Sequence, residues 1–346
     1  MTTRFPTISF CTTCYAEIAA SITADREGVV MRKTCPHHGQ TTTLVERDPL
    51  FYQHIRGLRA PSIYDGYFVD VTRKCNLRCE FCFYHLETTD PEGEYSIPAI
   101  LNECAVSRHR APFIITGGEP TTRGDIADLI RNVRQIGPVE LLTNGTGLAK
   151  PELWNELVPL LTNEGSDVVN VNLSLHVKET DAWREVVDRC RADGVKLESA
   201  LIVINSKDEF WEAVALCKEI SDVVECYRIK AASRIWNEQK PEGKIYVSDM
   251  YRWLEESGKP VALVPQRHNK VSIVNVAYDR MHLMLVSWYD VSNIDLVDVD
   301  CAPYYRARTG EVQNFVTAML INEGLSKGWS KGRPVTAITE ERSKAK

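Results

Sequence analysis

The chain has 346 residues, of which 44% are apolar and 25% charged, and it carries a formal net charge of −6. Those proportions exclude a disordered or fibrous chain and allow one catalytic domain with appendages, while the acidic balance argues against a surface built for extensive nucleic-acid backbone contact. No secretory leader opens the sequence and no run of eighteen apolar residues interrupts it, so a cytoplasmic protein without a membrane span is expected.

Residues 1–50 form a compact unit rich in cysteine and histidine. Eleven cysteines are present, and six of them fall in two tight groups before residue 83. Clustering of that kind points to metal binding rather than to disulfides. Cys11 and Cys14 make one CxxC knuckle, and a strand predicted at 29–33 leads into a second knuckle, Cys35 and His38, in a CPHHG context. Three thiolates and an imidazole suit a closed tetrahedral zinc site, with rubredoxin-like iron as the alternative metal and His37 as the competing fourth ligand. A unit with so few large apolar residues gains much of its folding energy from such an ion. Residues 51–63 read as a connector.

From 64 to 235, short β-branched runs alternate with helical segments. Strands are predicted at 66–72, 112–116, 139–142, 168–173, 196–204 and 224–229, and helices near 97–107, 124–136, 151–162, 179–193 and 207–221, the last capped by Asn205-Ser206. Six such units imply parallel strands with right-handed crossovers. The fold class expected is α/β, a partial (β/α)6 TIM-type barrel with a small zinc-ribbon-like N-terminal unit and a C-terminal α+β extension over residues 236–346. In that extension a helix is predicted at 246–257, an antiparallel hairpin at 271–277 and 283–288 that covers the open side of the barrel, a helix at 311–323, and a basic tail from 326.

The loop after the first barrel strand carries Cys75, Cys79 and Cys82. Thiolates are the usual ligands of iron–sulfur clusters, and a four-iron cluster ordinarily takes four. Three leave one iron open to chelate a small molecule, such as the amino and carboxylate groups of a methionine moiety. The bland alternative is a zinc site. Thr116-Gly117-Gly118-Glu119-Pro120 ends the next strand, about forty residues on. There, glycine permits close backbone approach, and carbonyls with the Glu119 carboxylate can accept from an ammonium group.

CxxxCxxC with an aromatic, Phe81, before the last cysteine, followed by Gly-Gly-Glu-Pro, resembles the radical S-adenosylmethionine (radical SAM) superfamily. The CxxC…CPxHG unit ahead of it is similar to the pterin methyltransferase-like and tetraether-lipid synthase-like group, over roughly residues 8–235. The resemblance implies a [4Fe-4S] cluster on Cys75, Cys79 and Cys82, S-adenosyl-L-methionine as cofactor, and an external one-electron reductant such as flavodoxin or ferredoxin. It places Phe81 near the adenine and Gly117, Gly118 and Glu119 at the methionine end. It makes Ser174 a candidate for ribose or carboxylate, Arg184 for the carboxylate and Asn205 for the ribose. Thr143 and Asn144 end the third strand at the same barrel mouth, where barrel active sites form. The late cysteines show no CxxC pairing for additional clusters, and no cobalamin domain precedes the barrel. Lipid coupling and cobalamin-dependent methyl transfer are therefore not expected.

Substrate-facing candidates are His176, Arg228, Lys230 and Cys301, the last as a hydrogen-atom donor. Arg280, His282, Trp288 and Tyr289 are further candidates, and Arg306 and Arg308 could grip an anionic group. Each is also a plausible packing, capping or surface residue. The function expected is hydrogen abstraction from a small-molecule or nucleotide-like substrate by a 5′-deoxyadenosyl radical, followed by rearrangement, coupling or modification. Modification of a peptide or protein, or of a nucleic-acid base through the basic tail (Lys327, Lys331, Arg333, Arg342, Lys344, Lys346), is the alternative. A non-enzymatic metal-binding scaffold fits the paired motifs least well.

Overall fold

A computed structural model describes residues 3–14, 16–58, 66–79, 82, 95–107, 112–161, 169–175, 178, 180–232, 243–265, 272–287, 293, 295, 303–306 and 311–314. Four antiparallel strands open the chain, β1 (Thr3–Phe10), β2 (Glu17–Asp25), β3 (Gly28–Cys35) and β4 (Gly39–Glu46), paired in chain order. Cys11 and Cys14 lie in the β1–β2 connection, and Cys35 and His38 flank the β3–β4 turn, so both knuckles hang from one end of the ribbon. At the other end Ile22, Ala24, Val29 and Met31 join Tyr52 and Ile55 of helix α1 (Pro49–Gly57) in the main hydrophobic core. Asp48 caps that helix, its Oδ1 accepting from Phe51 N at 2.9 Å.

Six parallel strands follow: β5 (Tyr67–Thr72), β6 (Phe113–Gly117), β7 (Val139–Thr143), β8 (Val169–Ser174), β9 (Leu197–Ile204) and β10 (Val224–Ala231). Helices α2 (Ile97–Val106), α3 (Ile126–Arg134), α4 (Pro151–Leu161), α5 (Ala182–Asp193) and α6 (Lys207–Glu219) connect them. Each predicted strand and helix of this series is present, with ends shifted by one to three residues. The cause of the α6 start is local: Ser206 Oγ accepts from Glu209 N at 3.1 Å, and Glu209 Oε2 accepts from Asn205 N at 2.6 Å.

The strand sequence explains which face meets the helices. Tyr67, Val69 and Val71 on β5, Val169, Val171 and Leu173 on β8, and Tyr227 and Ile229 on β10 are buried in the core with helical residues such as Leu129, Val186 and Phe210. The alternate positions form the opposite, inner face, and each strand places at least one polar side chain there, Asp70, Thr116, Glu140, Asn172, Ser199, Arg228 and Lys230, interspersed with apolar ones such as Phe68, Ile114, Leu201 and Val203. A parallel strand buried on both faces ordinarily reads as a continuous apolar run. This inner face departs from that rule on all six strands.

The sheet does not end at β10. Helix α7 (Val247–Glu256) leads to β11 (Val261–Leu263), β12 (Ile273–Tyr278) and β13 (Met281–Ser287). The predicted hairpin exists, with β12 antiparallel to β13, but it does not lie across an open barrel: β13 pairs parallel with β10 and prolongs the sheet. At the other edge β14 (Pro303–Arg306) pairs parallel with β5, and β15 (Glu311–Asn314) pairs antiparallel with β14. The helix expected from residue 311 is therefore corrected over 311–314, where ladder pairing to β14 overrides local helical periodicity. Residues 315–346, including the basic tail, lie outside the described residues.

The ribbon is bolted to α7. The buried Glu46 accepts from Arg47 N at 2.6 Å and from Ser248 N at 3.4 Å, and it also accepts from the Ser248 hydroxyl. Arg47 and Arg252 add ion pairs to Asp249 and Asp48 at 3.4 and 3.6 Å. Burial pushes the Glu46 carboxyl above its ordinary range, with the Ser248 and backbone bonds partly opposing the shift. A carboxyl raised in the folded state contributes stability at low pH that is lost as pH climbs through the folded value. Glu46→Gln, which cannot ionise, should therefore gain melting temperature relative to the parent chain as pH rises from about 4 towards neutrality. A melting-temperature difference that stays constant across that range would refute the burial argument.

Candidate functional site

The ribbon knuckles bring Cys11, Cys14, Cys35 and His38 together, with one ligand atom from each lying within 4.8 Å of all the others. His38 Nδ1 is 3.5 Å from both Cys11 Sγ and Cys35 Sγ, and the Cys14 and Cys35 sulfurs are 3.8 Å apart. A tetrahedral ion at about 2.3 Å from sulfur and about 2.05 Å from nitrogen requires separations of about 3.6 and 3.8 Å. The donor set thus has the spacing of a four-coordinate site without rearrangement. His37 is exposed, stands edge-on to His38, and is not a member of the set. Burial raises the Cys11 thiol, but hydrogen bonds from the Cys14 and Thr13 backbone and the Cys14 and Cys35 thiols outweigh it and bring it to about 6. Cys14 is pushed up, by burial first and by its thiol neighbours next.

Cys75, Cys79 and Cys82 lie on the loop after β5, all partly exposed and none in a disulfide. Cys82 N donates to Cys79 O at 3.0 Å and Leu77 N to Cys75 Sγ at 3.4 Å. Burial raises the Cys75 thiol, and the nearby Glu119 charge adds to that. The loop is fixed from the next strand. Gly118 N donates to Thr72 O and Glu119 N to Lys74 O, both at 2.7 Å. Neither glycine has room for a side chain. A Cβ on Gly117 would sit 2.2 Å from Thr72 O, and its φ of +143° is one L side chains rarely adopt. A Cβ on Gly118 would sit 2.2 Å from Lys74 O.

Glu119 is 2% exposed. Oε1 accepts from Thr121 N at 3.0 Å, Thr121 Oγ1 at 2.5 Å and Thr143 Oγ1 at 2.6 Å, while Oε2 accepts from Asn144 N at 2.7 Å. A carboxylate offers about four lone-pair sites, two on each oxygen; three of these donors share Oε1 and one reaches Oε2. Glu119 is thus a strut between the ends of β6 and β7. Burial still drives its carboxyl upward against those four bonds.

Thr143 and Asn144 belong to the same brace. Thr143 Oγ1 also accepts from Gly145 N at 3.0 Å. Asn144 Nδ2 donates to Asn76 Oδ1 at 3.0 Å, and Asn76 Nδ2 reaches Thr146 Oγ1 at 2.5 Å. The residue beside Cys75 is thereby clasped to the end of β7. Arg123, 3% exposed, donates to Val71 O at 2.9 Å and Tyr95 O at 3.0 Å while paired with Asp125 at 2.8 Å. Neither Asn76 nor Arg123 was singled out from sequence, because what marks them is a contact partner remote in the chain.

Other candidates are distributed unevenly. Ser174 is half-buried at the end of β8 on the inner face. Asn205 is exposed, with its side-chain amide 3.4 Å from Glu209 Oε2, as part of the α6 cap. Arg184 lies on the outer helical layer with its side chain 57% exposed, stacked over Trp183 and paired with Asp181 and Glu219 at 3.7 and 3.6 Å. It is held there, away from the inner face. Arg280 and His282 are candidates for substrate contact or for packing and capping the hairpin. Because β13 runs parallel to β10, its first residues lie at the opposite rim, beside Lys196 and Asp222. Phe81, His176, Trp288, Tyr289, Cys301 and Arg308 lie outside the described residues, as does the side chain of Arg306.

Arg228 and Lys230 are partly buried on the inner face of β10. Burial lowers the Lys230 ammonium to about 7, and the charge of Cys82 acts in the opposite sense. Cys82, ten residues past the end of β5, thus lies within electrostatic reach of β10.

Residues 69–221 match the radical SAM superfamily, and residues 5–47 match the HMPTM N-terminal zinc ribbon domain. The chain is similar to the 7,8-dihydro-6-hydroxymethylpterin dimethyltransferase of Methanocaldococcus jannaschii, at 23% identity over 72% of this chain and 58% of that protein. It is similar to the GTP 3′,8-cyclase of Clostridium perfringens, at 29% identity over 44% of this chain and 51% of that one. The chain thus spans between half and three-fifths of the length of these curated relatives. Among solved structures, Streptococcus suis SuiB bound to its precursor peptide SuiA aligns at 14% identity with a TM-score of 0.46, over 68% of this chain and 67% of that one, too low to carry an argument. A segment that matches the radical SAM superfamily thus follows one that matches a zinc ribbon.

Gly118→Ala tests the clamp. Overpacking against Lys74 O costs about 1–3 kcal/mol and must move the cysteine loop. After anaerobic reconstitution the variant should hold less iron than the parent chain while keeping the metal of its ribbon. Equal iron in both proteins would show that the loop does not depend on this contact.

Proposed function

We propose that the chain is a radical SAM enzyme that holds a [4Fe-4S] cluster on Cys75, Cys79 and Cys82 and acts on a small molecule. The observation that carries this reading is the three-cysteine loop after β5: three partly exposed sulfurs on one loop, whose entry at Thr72–Lys74 is held by backbone bonds from Gly118 and Glu119. A three-thiolate set fits a four-iron cluster with one open iron. Cys75, Cys79 and Cys82 would hold the cluster, which would supply the electron for reductive cleavage of S-adenosylmethionine and so the means of taking a hydrogen atom from the substrate.

The chain's own part is positional. Gly117 and Gly118 keep the backbone of β6 against the loop, and Glu119 holds the ends of β6 and β7 at fixed separation through Thr143 and Asn144. Ser174 ends β8 at the same edge and is a polar side chain suited to a cofactor hydroxyl or carboxylate. A small-molecule substrate is favoured because both relatives described above are named for one, a pterin and GTP. The polar inner face, where Ser199 donates to Asn172 and Asn172 to Glu140, suits such a substrate better than an apolar one. The Cys11, Cys14, Cys35 and His38 site is read as structural zinc, closed by four protein ligands.

The anaerobically reconstituted chain, reduced with dithionite, should release 5′-deoxyadenosine from S-adenosylmethionine, and Cys75→Ala should abolish release. An intact cluster that yields none would overturn the reading. Metal analysis of Cys75→Ala should still return about one zinc per chain, whereas Cys14→Ser should lose that zinc and melt at lower temperature. Iron in place of zinc would refute the structural assignment.

A further inference from the structure

The inner face of β10 carries two cations at alternate positions, Arg228 and Lys230, next to Cys226. On a strand such neighbours lie about 7 Å apart along one face, and each raises the cost of burying the other. Arg228 lies opposite Leu201 of β9 and Met284 of β13, and Lys230 lies opposite Val203 and Val286. Glu198 of β9 lies within electrostatic reach of Cys226, as Arg228 does, and Glu140, on β7, accepts from Asn172. Arg228 Nε is shielded from solvent and has no hydrogen-bond partner among the described residues. A buried guanidinium nitrogen left unpaired is costly, and its planar fork matches an oxyanion. Lys230 lies within electrostatic reach of Cys82, so the pair borders the cysteine loop rather than the far rim.

We propose that Arg228 and Lys230 form an oxyanion grip, so that the substrate carries a phosphate or carboxylate group held beside the cysteine loop. This rests on the reading of the chain as a radical SAM enzyme acting on a small molecule. It adds the charge of that molecule and the strand that binds it. In a chain of net charge −6, a local positive site on the inner face also selects which small molecules enter.

The test uses the full reconstituted chain at constant ionic strength, titrated calorimetrically with inorganic pyrophosphate and, separately, with citrate. The parent chain should bind one of the two saturably, pyrophosphate marking a phosphate site and citrate a carboxylate site. Arg228→Met and Lys230→Met should each weaken that binding at least tenfold. Arg228→Lys, which keeps the charge but loses the fork, should fall between. Affinity for S-adenosylmethionine, measured on the same samples, should not change. Saturable binding of neither anion, equal binding by parent and variants, or a loss confined to S-adenosylmethionine would each overturn the proposal, the last by assigning the cations to the cofactor. Release of 5′-deoxyadenosine by the parent chain is run in parallel. Its failure would count against the radical reading, while the anion titration judges the grip.

Discussion

The close backbone contact between Gly117-Gly118-Glu119 and Thr72–Lys74 is the constraint on which the rest of the site depends. Two N–H to O=C bonds of 2.7 Å carry the β5–β6 ladder past the end of the strands and into the cysteine loop. A loop of three cysteines has little regular structure of its own, and loops are ordinarily mobile. Here the loop inherits the rigidity of the sheet. The contact demands glycine twice, because either Cβ would fall 2.2 Å from a carbonyl oxygen. Glu119 then transfers the constraint to β7, and the Asn144–Asn76 bond returns it to the residue beside Cys75. The result is a closed circuit of side chains and backbone around the loop. Each buried polar member is satisfied by another, as a network must be if it is to rigidify rather than destabilise.

The same sheet separates two kinds of burial. Its outer face is a continuous apolar layer with the helices. Its inner face keeps carboxylates, amides and cations among the alternate residues of six parallel strands. Such a face adds less hydrophobic stability than an apolar one would, and the cost is carried where a polar ligand would be received. The helical layer and the two edge extensions, β11–β13 and β14–β15, supply the stability that the inner face forgoes.

Much of this was legible from residues alone, and the failures have physical causes. The βα series reads cleanly because each strand carries β-branched residues and each helix its own apolar stripe, as in α3 with Ile126, Leu129, Ile130 and Val133 buried. The metal knuckles were readable for a similar reason, since ligand type and spacing are both local. The bracing role of Glu119 was not, because sequence shows a carboxylate but not the donors that reach it. Nor was the rim on which Arg280 and His282 lie, because the hairpin pattern gives pairing but not the direction in which the pair joins a larger sheet. Residues 311–314 show the same limit, a helical periodicity overruled by a partner, β14, that is itself ordered by β5. The polar inner face could have been found, as charged or amide residues at period two within strands otherwise rich in valine and isoleucine.

The bolt between ribbon and α7 has a consequence for the order in which the molecule comes into being. Glu46 and its partner Ser248 are 202 residues apart in the chain. At roughly 5–20 residues per second, synthesis leaves Glu46 without that partner for about 10–40 s. The knuckles need no such wait, since Cys11 to His38 emerge together. The ribbon can therefore take up its ion and close while its docking face is still wet and Glu46 still ionised. Only when α7 arrives must that carboxylate lose its water. The metal centre and the catalytic body are thus completed as separate events, and the last of them is marked by the desolvation of a buried carboxyl.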